Sequence, residues 1–401
     1  MSNRPRLAPP AGALADPLTR RTFLRGLSLS ALAVTGGGVL SACGVDSATQ
    51  TEESCKSTDL SAKEKVLNFS NWPLYIDPFK SPVSTLNGFS DKTGIEVNYR
   101  TDVNSNDEFF GKVRNQLSEC TSTGRDIFVV TDWMAGKMID LGWIQELDKS
   151  NLPNVQANLI DNLRAPGFDP DRKYSVPWQS GVTGIAYNSD LTDEVSSFED
   201  LLTRPDLKGK VTLLNEMRDT MLFLLLMEGA DPEDFTDAEF TKAIDRLQKV
   251  VDSGQVRRFT GNDYTGDLEN GNVLACEAWS GDVIQLQFGD PKFNFVAPEE
   301  GLALWSDNML VPNKATHKTN AEKLMNYYYD PEIAAKLAAW VNYICPVEGA
   351  REAMKDIDAS LMDNQLIFPD ETFLGNAKQF MTLDEKQDKK YQTMFQQVIG
   401  A

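Results

Sequence analysis

Five short segments bring together side chains that could do chemistry on a charged organic molecule: Ser70-Asn71-Trp72-Pro73-Leu74-Tyr75, Thr131-Asp132-Trp133, Asn215-Glu216-Met217-Arg218-Asp219, Trp279-Ser280-Gly281-Asp282 and Trp305-Ser306-Asp307. Tyr343 adds one more ring after a helical stretch. Indole and phenol faces pack on methylene groups and attract neighbouring cations, for about 0.5 to 2 kcal/mol each when desolvated. Carboxylates supply stronger, charge-assisted hydrogen bonds to ammonium groups. The combination suits a chain of ammonium groups joined by methylene spacers. Sugars also stack on tryptophan, and a pair of carboxylates can run glycoside hydrolysis, so a carbohydrate-active hydrolase is the alternative from another class.

Other chemistries lack their parts. The chain holds one histidine, His317, in a stretch that reads as an exposed loop. A Ser-His-Asp triad, an HExxH zinc site or a Cys-His pair therefore has no partners. The only glycine cluster, Gly36-Gly37-Gly38, precedes the globular region, so no nucleotide-binding loop is expected. Tyr327, Tyr328 and Tyr329 suggest a ferric-ion trap at first sight, yet consecutive helical residues diverge by about 100 degrees and these rings read as packing. Neither a cofactor nor a metal is expected.

The candidate residues stand at the ends of short β-branched or apolar runs, where open α/β sheets bind ligands. Strands are expected at residues 66–69, 95–99 and 127–130, separated by helical segments such as 108–117, which is βαβ punctuation for a largely parallel sheet. Residues 211–214 lead into a helix at 221–227. Phe240, Ile244, Leu247 and Val251 then recur at helical spacing. Residues 273–279 and 293–296 read as strands of a second sheet, 303–311 as an extended crossing, and 320–329 and 331–341 as helices.

At the N-terminus, Arg20 and Arg21 precede a weakly apolar run, the pattern of a twin-arginine export signal. Leu40-Ser41-Ala42-Cys43-Gly44 resembles a bacterial lipobox, making Cys43 the lipidated first residue of the mature chain. Residues 1–42 are thus a signal peptide and 43–63 a polar, flexible tether. Residues 1–42 carry five basic side chains and one acidic, so their removal takes the net charge from −20 to about −24. Such a surface disfavours nucleic acid and anionic lipid and concentrates cations. Cys55, Cys120, Cys276 and Cys345 show no CxxC spacing; pairing of Cys55 with Cys120 would staple the tether to the first domain.

The most specific stretches are FSNWPLYID at 69–77, DIFVVTDWMAGKM at 126–138, YSVPWQSGVTGIAYN at 174–188, NGNVLACEAWSGDV at 270–283 and LWSDNMLVPNKA at 304–315. On these the chain resembles the periplasmic spermidine/putrescine-binding proteins of polyamine ABC importers, from about Val66 to the C-terminus. The resemblance implies a two-lobed α/β fold of the periplasmic-binding-protein kind, each lobe a mixed sheet flanked by helices, with the ligand cleft between them. Lobe 1 would comprise 64–182 plus 306–350 and lobe 2 183–305 plus 351–401.

By the same resemblance Trp72 and Tyr75 box the polyamine, Thr131 and Trp133 form a hydroxyl and an aromatic wall, and Glu216 and Asp219 bind amines. Trp279 and Trp305 complete the walls, Asp307 holds an amine, and Tyr343 lies at the closing edge. Asp132 and Asp282 match no ligand position and read as capping or solvated residues. Pro73 and Leu74 depart from the family's hydroxyl and acid, removing one polar contact. Implied partners are the polyamine, the permease and ATPase subunits of an importer, and the membrane through the lipid anchor. A receptor for a different cationic solute is a further alternative.

Overall fold

The computed structural model describes Cys55, residues 57–78 and residues 84–400. The twin-arginine motif at Arg20 and Arg21 and the lipobox Cys43 lie outside the described residues. The strands are β1 (Val66–Asn71), β2 (Glu96–Thr101), β3 (Ile127–Thr131), β4 (Ser175–Asn188), β5 (Val211–Leu214), β6 (Val256–Thr260), β7 (Ala275–Trp279), β8 (Phe293–Val296), β9 (Leu302–Leu310) and β10 (Ala377–Lys378).

They form one mixed sheet in the order β2-β1-β3-β9-β4-β7-β5-β6, with β10 on β9 and β8 on β4. This corrects the expectation of a separate second sheet. β1 pairs parallel with β2 and β3, and β5 parallel with β6 and β7, as βαβ connections require. β9 and β4 run antiparallel between these two groups and are paired from Ser175 with Leu310 to Thr183 with Ala303. Their pairing is what makes the sheet continuous and the whole less parallel than the alternation suggests.

Helices flank the sheet around two apolar cores. Phe69, Phe109, Phe128, Val129, Leu324 and Leu337 lie in the first; Leu213, Met221, Phe223, Phe240, Leu247, Tyr391 and Phe395 lie in the second. The helix Asp237–Asp252 buries Phe240, Ala243, Ile244, Leu247 and Val250 and opens on a capping box between Thr236 and Glu239. The C-terminal segment divides between the cores: Met354 and Ile367 join the first, whereas Tyr391 and Phe395, on the helix Glu385–Ile399, join the second.

The polar stretch before β1 is docked from Ser57 onward, which corrects its reading as a tether as far as residue 63. The Leu60 N–H donates to the Thr316 carbonyl at 2.7 Å, and Asp59 accepts from the Thr319 N–H at 3.1 Å. Cys55 is joined to Cys120 by a disulfide. His317, expected in an exposed loop, is buried: its Nδ1 lies 3.0 Å from Asp126 Oδ1 and its Nε2 2.9 Å from Glu64 Oε2. Tyr327, Tyr328 and Tyr329 are packed, with hydroxyls on the Thr85 carbonyl, the Thr85 hydroxyl and the Pro177 carbonyl respectively.

Candidate functional site: an acidic cavity walled by aromatic rings

The C-terminal ends of β1, β3, β5 and β7 converge on one cavity. Trp72 and Tyr75 lie on the loop that leaves β1, and Thr131 ends β3. Glu216 and Asp219 bracket the start of the helix Met217–Met227 that follows β5, and Trp279 ends β7. On β9, Trp305 and Asp307 are two residues apart, so pleating turns both to one face. Tyr343 follows the helix Pro331–Val341. All of these line the cavity, as do Pro73, Asn106, Asn262 and Asp282.

Trp133 does not line it. Its ring instead carries the guanidinium of Arg218, 3.9 Å from the centroid. The cation is supplied by the protein.

The walls are built by edge-on packing. Trp72 meets Trp279 at 5.5 Å between ring centroids and Tyr75 meets Tyr343 at 4.9 Å, both close to perpendicular. Trp305 stands 5.5 Å from Tyr343 and 6.5 Å from Trp279. Gly181, opposite Trp305 in the sheet, makes room for this: a Cβ there would lie 2.5 Å from the Trp305 ring and 2.8 Å from Tyr343. The Trp305 indole N–H donates to Thr183 Oγ1 at 3.0 Å, and that hydroxyl donates in turn to Asp219.

Four acids face the cavity, and no basic side chain lines it among the described residues. Burial drives each carboxyl upward: Glu216 to about 8, with the Asp107 and Asp219 charges adding to the effect. Asp307 reaches about 7, burial again leading and Asp132 and Asp219 contributing. Asp219 and Asp282 reach about 6. Asp307 Oδ1 is buried without a hydrogen-bond partner. A fixed set of buried acids without a counter-ion favours a ligand that brings positive charge.

Asp282 corrects its reading as a solvated or capping residue. It is 1% exposed and accepts from the Tyr264 and Tyr343 hydroxyls, both at 2.8 Å, and from Asn262 Nδ2 at 2.7 Å. Asp132 is half-buried as the first residue of its helix, behind Thr131 at the capping position, and its Oδ1 accepts the Trp133 N–H at 2.7 Å. Asn106 and Asn262 were missed because an amide on a loop or helix start carries no periodicity. Asp282 could have been found, since Trp279 and Asp282 at the end of β7 repeat the pairing of Trp305 with Asp307.

The profile of the bacterial extracellular solute-binding protein family matches residues 84–362. The chain is 29% identical over 340 residues to spermidine/putrescine-binding periplasmic protein 1 of Haemophilus influenzae, covering 84% of this chain and 89% of that one. It is 28% identical over 331 residues to the putrescine-binding periplasmic protein PotF of Escherichia coli, covering 77% and 85%. Among solved structures, the spermidine/putrescine ABC transporter substrate-binding protein PotD of Streptococcus pneumoniae superposes with a TM-score of 0.65 at 26% identity, covering 84% of this chain and 98% of that one.

Proposed function

Because the chain belongs to the bacterial extracellular solute-binding proteins, we propose that it captures a polyamine, spermidine or putrescine, outside the cytoplasm and delivers it to the permease and ATPase subunits of an ABC importer. One observation carries the reading: four carboxyls without a counter-ion, those of Glu216, Asp282 and Asp307 buried and that of Asp219 half-buried, line a cavity whose walls are Trp72, Tyr75, Trp279, Trp305 and Tyr343. Ammonium groups would ionise the acids and hydrogen-bond to them, while the rings pack on the methylenes between. A neutral sugar would leave the acids uncompensated, so the hydrolase alternative is not favoured, and the relatives are solute-binding transport proteins.

Glu216 and Asp219 together offer anchors for more than one amine, which leans toward spermidine; Pro73 offers no polar contact at the other end. The two halves enclose the ligand by closing, and the closed form is what an importer would engage. Export by the twin-arginine signal and anchoring through lipidated Cys43 would hold the protein at the outer face of the cell membrane.

Titration calorimetry tests the function directly. Spermidine or putrescine should bind at micromolar concentration or tighter and raise the melting temperature, whereas glucose and arginine should do neither. Saturable sugar binding with no response to either polyamine would overturn the reading.

A further inference from the structure

Asn106 and Glu216 meet across the cleft. Glu216 stands between β5 and the helix Met217–Met227, whose Met217 and Met221 lie in the second core. Asn106 opens the helix Asn106–Ser118, whose Phe109 and Val113 lie in the first. The Asn106 main-chain N–H donates to Glu216 Oε1 at 2.6 Å, and its Nδ2 approaches the same oxygen at 3.2 Å. That Nδ2 also donates to Thr131 Oγ1 at 2.8 Å, and Asn106 Oδ1 accepts the Thr131 N–H at 3.0 Å. Asn106 and Glu216 are each 2% exposed and both line the cavity.

The N–H of a first helical residue has no acceptor within its own helix. Ser105, the residue that caps this helix, bonds the Glu108 N–H instead. The Asn106 N–H therefore depends on Glu216, whose helix packs on the other core. Both bonds fall on Oε1, so Oε2 takes nothing from Asn106.

On the polyamine reading, we propose that Asn106 is a positioning residue of this site: it fixes one oxygen of Glu216 across the closed cleft and leaves the other to meet a ligand ammonium. Closure and ligand recognition then share a single carboxylate. An ammonium that ionises Glu216 makes it a stronger acceptor for the Asn106 N–H, since charge-assisted hydrogen bonds are the stronger kind. Bound ligand thus tightens the contact that holds the cleft shut, and release slows.

Two substitutions separate the main-chain bond from the side-chain ones. Asn106→Ala keeps the N–H and deletes the amide. Asn106→Pro deletes both, at a first helical position where proline is tolerated. Ser105 before it is extended, at φ −151° and ψ 158°, as a following proline requires.

Spermidine release is followed by stopped-flow fluorescence, alongside calorimetric binding to the wild type and melting of each unliganded protein. Asn106→Pro should speed release about tenfold or more, the effect of losing a hydrogen bond to a charged group. Asn106→Ala should speed it less, with both unliganded proteins melting near the wild type. Release of Asn106→Pro at the wild-type rate would overturn the inference. So would equal acceleration by the two variants with lowered melting, which would make Asn106 a support for Thr131 alone. Should Asn106→Pro not fold, Asn106→Ala carries the test: faster release with unchanged melting supports the inference, and release at the wild-type rate overturns it. A wild type that binds neither polyamine removes the functional reading itself, whereas a wild type that binds beside an unaffected Asn106→Pro removes only the role of Asn106.

Discussion

The guanidinium carbon of Arg218 sits 3.9 Å from the centroid of the Trp133 ring, a contact between elements of the two apolar cores. Arg218 also donates to Asp388 Oδ1 at 2.9 Å, while Asp388 Oδ2 takes the Lys137 ammonium at 3.1 Å. Trp133 and Lys137 share the helix Asp132–Asp140; Arg218 and Asp388 belong to helices packed on the other core. The ring that resemblance assigns to the ligand is thus bound to a cation of the protein. Its interaction, about 0.5 to 2 kcal/mol, would, on the proposed function, favour the closed form.

Trp133→Leu should therefore lower spermidine affinity by no more than about 30-fold, the upper end for loss of one cation–π contact. Trp279→Leu, which removes a cavity wall, should lower it more. Calorimetric titration of the two variants side by side decides the matter: equal losses would return Trp133 to the ligand.

Local pattern made much of the sheet legible, and distance hid the rest. β1, β3, β5 and β8 stood out as short apolar runs bounded by polar residues. β4 did not, because it is buried almost throughout and interrupted by Pro177, Gly181 and Gly184, so no alternation marks it. Its pairing with β9, more than 100 positions away, turned two expected sheets into one. The candidate site shows the same limit. Trp305 and Asp307 share a face by alternation alone, whereas what Trp133 touches depends on Arg218, on a different helix. His317 read as exposed because Asp126 and Glu64, which enclose it, lie 191 and 253 positions earlier. The partners of Asp282 at Asn262, Tyr264 and Tyr343 were equally out of reach.

The proposed lipid anchor makes a cellular prediction. Cys43→Ala should leave the protein released from the cell or retained as an unprocessed precursor, and replacing Arg20 and Arg21 by lysine should strand the precursor in the cytoplasm. Fractionation with N-terminal sequencing reads both. A trimmed Cys43→Ala protein still held at the membrane would exclude the lipid anchor, and normal export of the twin-lysine variant would point to the general secretory route.

The cavity acids also set a pH dependence. Burial places Glu216 near 8, Asp307 near 7, and Asp219 and Asp282 near 6 in the folded chain, all above the values of about 4 expected on unfolding. Between those limits the folded, ligand-free protein binds more protons than the unfolded chain. The stability these groups carry is therefore present at low pH and lost as pH rises through their folded values. A polyamine reverses the balance by favouring the ionised acids. The rise in melting temperature produced by saturating spermidine should accordingly grow from pH 5 to pH 8 in a fluorimetric scan. A rise that stays level or shrinks over that range would show that the acids do not meet the ligand.

Asp307 offers the sharpest single test. It lies opposite Thr131 in the pairing of β3 with β9, is 4% exposed, and has Oδ1 buried without a hydrogen-bond partner. Trp305, two residues before it on the same face, supplies a wall beside it. An ammonium held there would be stripped of water, and removing one partner of such a pair typically costs about 2 to 5 kcal/mol. Asp307→Asn retains the shape and deletes the charge, so spermidine affinity should fall about 30-fold or more. The unliganded protein should melt no lower than the wild type, because burial of this carboxyl without a counter-ion does not favour folding at neutral pH. Calorimetry paired with thermal melting separates the outcomes. Unchanged affinity would place Asp307 outside the binding interaction, while lost affinity with a lowered melting temperature would make it a structural acid, since a ligand-directed charge weakens binding and leaves the fold intact.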